Sequence, residues 1–304
     1  MARPISMPRR RLFRAGLALS ATSLLTPAAP GSAATGASRR LRADDALLDL
    51  EQNYGARLGV YARNVRTGDT VSYRAGERFA MCSTFKTFAS AAVLRDHADC
   101  APLDRVIHYP QRDILDNSPK TAEHVDAGMA VGDLCAAAIQ YSDNAAGNLL
   151  LRQIGGPAGL TRFMRSIGDE VTRLDRWETD LNSAIPGDLR DTTTPEAVGR
   201  SLEEVALGRV LAPADREQLL TWLKGNTTSA KRFRKGLPQD WTVADKTGTG
   251  DYASANDIGI AWTTRKTPLV LAVLSAKPAK KAPVDDDLIA EAARLAARVL
   301  APGE

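Results

Sequence analysis

The position of the strand signals, which lie at both ends of the chain, constrains the fold most. Short β-branched and apolar runs bounded by turn residues predict strands at Leu58–Asn64, Val71–Tyr73, Thr242–Ala244, Ile258–Thr263 and Leu269–Ser275. Between them, from Ser83 to about Leu223, the signals are almost entirely helical, with breaks at Gly155–Pro157 and Thr194–Pro195. The simplest arrangement pairs the N-terminal and C-terminal strands in one antiparallel five-stranded sheet. The helical block is then inserted between the two halves of the sheet.

This arrangement predicts an α/β fold of the α+β type, with helices flanking the sheet and a cleft where the sheet meets the helical block. The predicted sheet domain is discontinuous and comprises residues 43–80 and 225–302, whereas residues 81–224 form the predicted helical domain. A helix over Asp44–Tyr54 and another that begins at Asp285–Asp287 supply the flanking layer. A chain of 304 residues with 44% apolar residues can bury one large core or two modest ones.

The first 34 residues have the pattern of a secretory signal peptide with a twin-arginine character. Arg9–Arg14 is basic, Ala15–Leu25 is apolar, and small residues follow at Ser32–Ala34. The apolar run is too short for a bilayer, and a basic amphipathic helix is disfavoured because apolar residues fill all its faces. We therefore expect a secreted or periplasmic protein with a cleavable signal peptide and no membrane association after its removal.

The charge distribution argues against a nucleic-acid partner. The chain has 40 basic and 36 acidic residues, a net charge of +4, but five arginines and no acid lie in the first 34 residues. Without that segment the balance is 35 minus 36, or −1. A near-neutral body does not provide the positive field that a phosphate backbone requires.

The cysteines and histidines do not predict a metal site or a cofactor. They are Cys82, Cys100, Cys135, His97, His108 and His124. None of the cysteines belongs to a C-x-x-C pair, and the histidines do not have the spacing of metal ligands. An odd number of cysteines allows at most one disulfide bond and leaves at least one free thiol.

A single S-x-x-K pattern, Ser83-Thr84-Phe85-Lys86, opens an apolar helical run. Serine and lysine three positions apart lie on one helix face. A hydroxyl becomes an effective nucleophile when a neighbouring base takes its proton, and partial burial lowers the pKa of a lysine enough to help. Taken alone, the pattern also fits an N-capping serine beside a solvated lysine.

Two further motifs change this interpretation. Ser142-Asp143-Asn144 lies between helical segments, and Lys246-Thr247-Gly248-Thr249 ends the first C-terminal strand. Singly they fit a helix cap and a glycine turn, but their order after S-x-x-K is the signature of serine penicillin-recognising enzymes. Trp177-Glu178-Thr179-Asp180-Leu181-Asn182 resembles the E-x-x-L-N element of class A β-lactamases. Over almost the whole chain after the leader, the sequence thus resembles a class A serine β-lactamase.

The resemblance implies hydrolysis of a β-lactam through an acyl-enzyme, an activity that gives antibiotic resistance. Ser83 would attack the lactam carbonyl, with Lys86 helping to move its proton directly or through water. Ser142 would pass a proton to the departing ring nitrogen. Glu178 would activate the water that cleaves the ester, and Asn182 would hold that water.

The resemblance also implies how the substrate is bound. Lys246, Thr247 and Thr249 would bind its carboxylate, and Asn144 would hold its side-chain amide. Arg232 matches an arginine that some family members place beside the K-T-G lysine for the same carboxylate. The alternative for Arg232 is a place in the basic surface run that surrounds it in the sequence.

Backbone groups complete the predicted site. The N–H groups of Ser83 and Thr249 would form the oxyanion hole, and Gly248 would let its strand approach the substrate closely. In the family, residues matching Arg176 and Asp191 pair to close an Ω-shaped loop, here residues 176–191. Many members have a cis peptide bond just after the glutamate.

The sequence departs from the family pattern at two places. Asn117 stands where the family usually has an aromatic residue at the cleft mouth, so substrate stacking there is in doubt. Members with a disulfide bond at the residue matching Cys82 find its partner two residues past K-T-G, where this chain has Gly250. We therefore predict no such disulfide bond.

Two rival functions share part of this pattern. A D-alanyl-D-alanine peptidase would have the first three motifs, but Glu178 and Asn182 favour a β-lactamase. A penicillin-binding sensor would acylate and remain acylated, and the absence of a later membrane span argues against a receptor. The expected partner is a small β-lactam, with penicillins as the first choice, and the expected state is a monomer.

Overall fold

The computed structural model describes residues 31–96 and 102–304, with side chains from residue 43 onward in those ranges. Most of the predicted signal peptide therefore lies outside the described residues, as do Cys100 and His97. Within the described ranges, no helix combines the length and the apolar character that crossing a membrane requires.

A helix lies at each end of the described chain, the long strands lie next to these two helices in the sequence, and most of the other helices lie in the middle. The strands are β1 (Arg57–Asn64), β2 (Thr70–Tyr73), β3 (Phe79–Ala80), β4 (Val106–Ile107), β5 (Met129–Ala130), β6 (Thr192–Thr193), β7 (Thr242–Gly250), β8 (Ser254–Trp262) and β9 (Pro268–Ala276). The helices are α1 (Gly31–Tyr54), α2 (Phe85–Asp96), α3 (Val131–Gln140), α4 (Asn144–Gln153), α5 (Gly156–Ser166), α6 (Pro195–Ala206), α7 (Pro213–Lys224), α8 (Phe233–Gly236) and α9 (Asp286–Leu300).

The main sheet joins the two ends of the chain, as the strand signals predict. Its order is β2-β1-β9-β8-β7, and every neighbouring pair is antiparallel. The N-terminal hairpin pairs with the last strand, so that Leu58 lies opposite Ser275. The predicted antiparallel five-stranded sheet flanked by helices is confirmed.

The central strand β9 faces a separate core on each side of the sheet. Side chains in a strand alternate between its two faces. On one face, Val270, Ala272 and Leu274 pack into the core of the helical block. On the other face, Leu269, Leu271 and Val273 pack with α9 and with Leu47 of α1. Burial on both faces explains why β9 is apolar at consecutive positions.

The helical block is built around α2, in which every residue from Phe85 to Leu94 is buried. The prediction that this block is almost entirely helical is wrong at residues 97–130 and 167–194, where the described parts contain short strands and loops. Local side-chain bonds hold such loops in place of a helical ladder. Asp169, for example, accepts the backbone N–H groups of Val171 and Thr172 at 2.8 Å each.

Several element ends also differ from the prediction. Helix α1 begins at Gly31 instead of Asp44, although it ends at Tyr54 before a left-handed Gly55, as predicted. Strand β7 continues beyond Ala244 to Gly250, so the K-T-G motif lies inside a strand. The full ladder with β8 supports this glycine-containing segment, which resembles a turn when only the sequence is considered.

Candidate active site

The S-x-x-K motif lies at the start of the buried helix α2. Ser83 is in a short 3-10 turn, Cys82–Thr84, that leads directly into that helix. One turn later, Lys86 directs its side chain back toward the serine, and Lys86 Nζ donates to Ser83 Oγ at 3.0 Å. Both residues are buried, so the alternative of a capping serine beside a solvated lysine is wrong.

Lys86 has four polar contacts in the interior. Besides Ser83 Oγ, its Nζ contacts the Ser142 carbonyl at 2.8 Å, Asn144 Oδ1 at 2.7 Å and Glu178 Oε1 at 2.9 Å. Burial lowers the pKa of Lys86 from its ordinary value, and the negative charge of Glu178 opposes that shift. The ammonium group therefore connects the serine, the S-D-N motif and the glutamate.

Glu178 is held over the serine by two asparagines. Ser83 Oγ donates to Glu178 Oε1 at 3.3 Å, and Asn182 Nδ2 donates to Glu178 Oε2 at 2.5 Å. Asn148 binds the backbone of Glu178 at both its N–H group (2.9 Å) and its carbonyl (3.1 Å). The bond between Glu178 and Thr179 is cis, as the resemblance predicts.

An ion pair between a half-buried arginine and a buried aspartate closes the loop that carries Glu178. Arg176 Nε lies 2.6 Å from Asp191 Oδ2, and Asp191 also accepts the backbone N–H groups of Asp175 and Arg176 at 2.7 and 2.9 Å. Arg176 Nη1 further donates to Ser183 Oγ at 2.9 Å. The predicted pairing of Arg176 with Asp191 is therefore present, and it ties residues 176 and 191 together.

The S-D-N motif turns the chain into helix α4. Ser142 has a left-handed backbone with φ of 57°. Asp143 caps the helix by accepting the Ala146 N–H at 2.8 Å. Asn144 then points inward, where its Nδ2 donates to the Asp116 carbonyl at 2.8 Å.

The K-T-G motif brings a second buried lysine to the same place. Lys246 Nζ donates to Ser142 Oγ at 3.1 Å and to the Thr247 carbonyl at 2.7 Å. Burial lowers the pKa of Lys246 well below its ordinary value, and the positive charge of Lys86 adds to the shift. Thr247 Oγ1 lies 2.5 Å from Thr228 Oγ1.

Gly248 lets strand β7 lie directly against the turn that carries the nucleophile. A Cβ atom at Gly248 would lie 2.9 Å from the Met81 carbonyl oxygen. At Gly250, a Cβ atom would lie 2.8 Å from the sulfur of Cys82. Cys82 is a buried free thiol, as predicted, and burial raises its pKa to about 12.

Arg232 belongs to the site and not to the surface. It is 5% exposed, and its Nη1 donates to the carbonyls of Gly248 and Asn256, both at 2.8 Å. Its Nη2 donates to Thr249 Oγ1 at 2.8 Å, and its Nε pairs with Asp286 at 2.7 Å. The surface-run interpretation of Arg232 is therefore wrong.

Two contacts in the site involve residues that the sequence analysis missed. Asn148, which holds Glu178, lies four positions after Asn144 and so on the same helix face. This spacing could have identified it. Thr228, which contacts Thr247, lies in a loop and gives no comparable signal.

The predicted site residues therefore lie close together, and Asn117 lies at the rim of the site. Its side chain is exposed, its φ is 54°, and its Nδ2 donates to the Ser142 carbonyl at 3.0 Å. Among the residues that the structure describes, no group of three or more histidine, cysteine or carboxylate side chains could hold a metal ion.

Comparison with known proteins identifies the family. The model of the β-lactamase enzyme family matches residues 42–300. The β-lactamase of Streptomyces lavendulae is 54% identical over 267 residues, which are 86% of each chain. The carbapenem-hydrolysing β-lactamase KPC of Klebsiella oxytoca is 53% identical over 249 residues, which are 81% of this chain and 85% of that protein.

Solved structures that are similar to this chain belong to the same family. The β-lactamase from Streptomyces albus G matches with a TM-score of 0.83 and 51% identity, covering 85% of this chain and 99% of that one. A class A β-lactamase reconstructed as the last common ancestor of Gram-negative bacteria matches with a TM-score of 0.80, 51% identity and coverages of 83% and 97%. The chain therefore belongs to the class A β-lactamases, enzymes that hydrolyse β-lactams and so give antibiotic resistance.

Proposed function

We propose that this enzyme hydrolyses penicillin-type β-lactams through an ester formed on Ser83. The observation that carries the proposal is the position of the Ser83 hydroxyl, 3.0 Å from Lys86 Nζ and 3.3 Å from Glu178 Oε1. One hydroxyl thus contacts a buried cation and a buried carboxylate. The carboxylate is then beside the ester that the serine forms, where it can activate water.

In acylation, Ser83 Oγ attacks the lactam carbonyl carbon and loses its proton. Two groups can accept that proton. Glu178 already accepts the hydrogen bond of the serine, and Lys86 can act in its neutral form because burial lowers its pKa. The backbone N–H groups of Ser83 and Thr249 would stabilise the oxyanion that develops.

Cleavage of the ring requires a proton for the departing nitrogen. Ser142 Oγ is the donor in this proposal, because an amide anion is a poor leaving group. Lys246 Nζ donates a hydrogen bond to Ser142 Oγ, and its positive charge favours release of the hydroxyl proton. The proton can be replaced from Lys246, whose Nζ contacts the same hydroxyl.

In deacylation, Glu178 takes a proton from water as the water oxygen attacks the ester carbon. The bond between that carbon and Ser83 Oγ then breaks, and Ser83 Oγ regains its proton from Glu178. Asn182 Nδ2 holds one oxygen of Glu178, which leaves the other oxygen toward Ser83. The remaining acceptor of Asn182, Oδ1, is buried and has no hydrogen-bond partner within the described residues. It is therefore available to orient the attacking water.

The substrate carboxylate would bind at the K-T-G strand. Lys246, Thr247 and Thr249 supply an ammonium group and two hydroxyls, and Arg232 adds a buried guanidinium that already contacts Thr249. Gly248 contributes indirectly, because its lack of a side chain lets this strand pack against the turn at Met81 and Cys82. Asn144 Nδ2 uses one N–H group for Asp116 and retains a second for the substrate side-chain amide.

The sequence identities to known relatives do not predict which β-lactams this enzyme hydrolyses. The relative at 54% identity has the plain name β-lactamase, whereas the one at 53% is named for carbapenem hydrolysis. Small shifts in cleft geometry change the discrimination between such substrates. We propose penicillins as the first substrates to test.

The proposal extends to compartment and organisation. The leader pattern supports export through a twin-arginine route with a cleavable signal peptide, as a monomer without membrane association. We also propose a division into a sheet domain of residues 43–80 and 225–302 and a helical domain of residues 81–224, with the site at their junction.

Intact-mass measurement with benzylpenicillin tests the mechanism. We expect wild-type enzyme to consume the drug without a lasting adduct, and Glu178→Ala to accumulate the penicilloyl adduct because its ester lacks a base. Glu170→Ala, at a side chain that is 79% exposed, is the matched control and should behave as wild type. A lasting adduct on wild-type enzyme would favour the peptidase or sensor function, and unchanged turnover by Glu178→Ala would exclude Glu178 as the base.

A further inference from the structure

A second concave site lies beneath the distal half of the Ω-loop. Its volume is about 270 Å³, and we call it the loop cavity. Loop residues 184–188 form one wall, and β3 with its preceding Arg78 forms another. The end of β9, at Ala276, and the following Lys277 complete it. The loop cavity shares none of its lining residues with the catalytic site described above.

The walls of the loop cavity carry an excess of positive charge. Its cationic side chains are Arg57, Arg78, Arg190 and Lys277, and its one lining acid is Asp188. Three of the cations have carboxylate partners, which are Glu77 for Arg57, Asp188 for Arg190 and Asp285 for Lys277. These three cations are therefore largely neutralised.

Arg78 differs from the other cations. Its Nη1 donates to the Val171 carbonyl at 3.1 Å and to Thr192 Oγ1 at 2.9 Å, which fixes the plane of the guanidinium. In the part of the chain that the structure describes, no carboxylate has an ion-pair contact with Arg78. A half-buried, oriented and uncompensated guanidinium suits one carboxylate, which it can bind with two parallel hydrogen bonds.

The rest of the loop cavity is apolar. Phe79 is buried in its floor, and Ile185, at 46% exposure, is one of the large apolar side chains that the Ω-loop leaves open to solvent. Pro186 and Pro278 line the rim. The volume is slightly below the ~300–1,000 Å³ that is typical of small-molecule pockets, so the space suits a ligand smaller than most drugs.

We propose that the loop cavity binds a small organic monocarboxylate with a flat apolar body. Its carboxylate would pair with Arg78, and its body would cover Ile185. One unmatched cation favours a monoanion over a dianion, and the apolar walls favour an aryl or alkyl acid over an inorganic anion. This site is separate from the proposed catalytic function, and its test does not depend on turnover.

Isothermal titration calorimetry of the full enzyme with 2-naphthoate tests the proposal. We expect saturable binding that Ala276→Trp weakens at least tenfold, because the indole fills the cavity. The control Ala279→Trp places the same side chain at an exposed position outside the cavity and should leave the affinity unchanged. Absence of saturable binding up to the solubility limit of 2-naphthoate would overturn the proposal.

The catalytic site also has cationic side chains that could bind 2-naphthoate, so binding there must be distinguished from binding in the loop cavity. Lys246→Ala should leave the affinity for 2-naphthoate unchanged. Loss of binding in Lys246→Ala together with retention in Ala276→Trp would place the probe in the catalytic site and overturn the proposal. Hydrogen exchange gives an independent location, because binding in the loop cavity should protect amides within residues 184–190.

A charge comparison tests the role of Arg78. Arg78→Gln should weaken 2-naphthoate binding about tenfold or more, the effect of a lost charge-assisted hydrogen bond, while affinity for neutral 2-naphthylmethanol stays the same. Equal weakening for both probes would show that Arg78 does not discriminate the carboxylate from the neutral alcohol and would reject the carboxylate pairing. The neutral probe thus keeps the test valid even if Arg78→Gln changes the local structure.

Discussion

Lys86 and Glu178 form an ion pair at 2.9 Å in which neither side chain is exposed. Removing two charges from water costs several kcal/mol per ion, so such a pair requires further hydrogen bonds. Lys86 obtains them from Ser83, Ser142 and Asn144, and Glu178 from Asn182. The charges that hold the site together are the same charges that move protons in the proposed mechanism.

Arg232 provides a residue-scale prediction about substrate binding. Arg232→Gln should lower kcat/KM for benzylpenicillin about tenfold or more, because a hydrogen bond to a charged group contributes roughly 1.5–3 kcal/mol. Steady-state kinetics measure this effect. Lys231→Gln removes a neighbouring exposed charge and should leave kcat/KM unchanged. Equal losses in the two variants would indicate a general charge effect and reject direct binding by Arg232.

A buried pair of carboxyl groups behind Lys246 predicts a pH dependence of stability. Asp245 and Asp257 lie on adjacent strands, and neither is exposed. Burial raises the pKa of both groups, and the charge of Asp245 adds to the shift at Asp257. Arg234, Arg232 and Lys246 face the pair and oppose the shift. A raised folded-state pKa means that the folded protein binds the proton more tightly than the unfolded chain does.

The sign of the effect follows from this difference. The stability that proton binding contributes is fully present below the ordinary carboxyl pKa of 3.8 and is lost as pH rises toward the raised folded-state pKa. The Asp257→Asn variant has no carboxyl group to titrate at this position and so does not lose stability in this way. The free energy of unfolding of the variant minus that of wild type should therefore increase with pH between 3.8 and the raised folded-state pKa. Urea unfolding at a series of pH values measures it. Glu170→Gln should show no such trend, and a constant difference for Asp257→Asn would contradict the prediction.

At the scale of elements, the Ω-loop depends on the ion pair at its ends. Asp191→Asn leaves the guanidinium of Arg176, which is 19% exposed, without its charged partner, so the cost should lie below the value of about 3–5 kcal/mol for a fully buried pair. We expect faster hydrogen exchange over residues 176–191 and slower deacylation, because the loop positions Glu178. Asp188→Asn breaks a more exposed pair on the same loop and should change neither quantity. Unchanged exchange in Asp191→Asn would contradict this account.

Elements with strong local signals could be predicted from the sequence. Pro195 begins α6 at the predicted break, with Thr194 as its cap, and α9 begins at Asp286, within the acidic run that predicted its start. The extension of β7 through Gly248 could not be predicted locally, because glycine and threonine between charged residues also fit a turn. The ladder with β8, the next strand of the same hairpin, determines that segment, so its strand structure comes from pairing and not from its own residues.

For the whole molecule, β9 couples the two cores. Leu271 faces the core with α9, whereas Leu274 faces the core of the helical block, and both are fully buried. Leu271→Ala and Leu274→Ala should each cost about 2–5 kcal/mol. Because the strand is shared, we expect one unfolding transition in each variant, with coincident urea midpoints for circular dichroism and for activity. Leu189→Ala, at 57% exposure, should change stability by less than about 0.5 kcal/mol. Separate midpoints would show that the cores unfold independently.

The sequence by itself determined the class of fold and the groups that we propose as catalytic. Strand signals at both ends require a sheet that joins them, and nucleophile, base and carboxylate-binding motifs are short segments whose chemistry is readable locally. Only the tertiary structure decided that Arg232 is buried, that Asn148 holds Glu178, and that Gly248 packs on the turn of the nucleophile. These contacts join residues far apart in the chain, and burial and distance across such gaps depend on how the whole molecule packs.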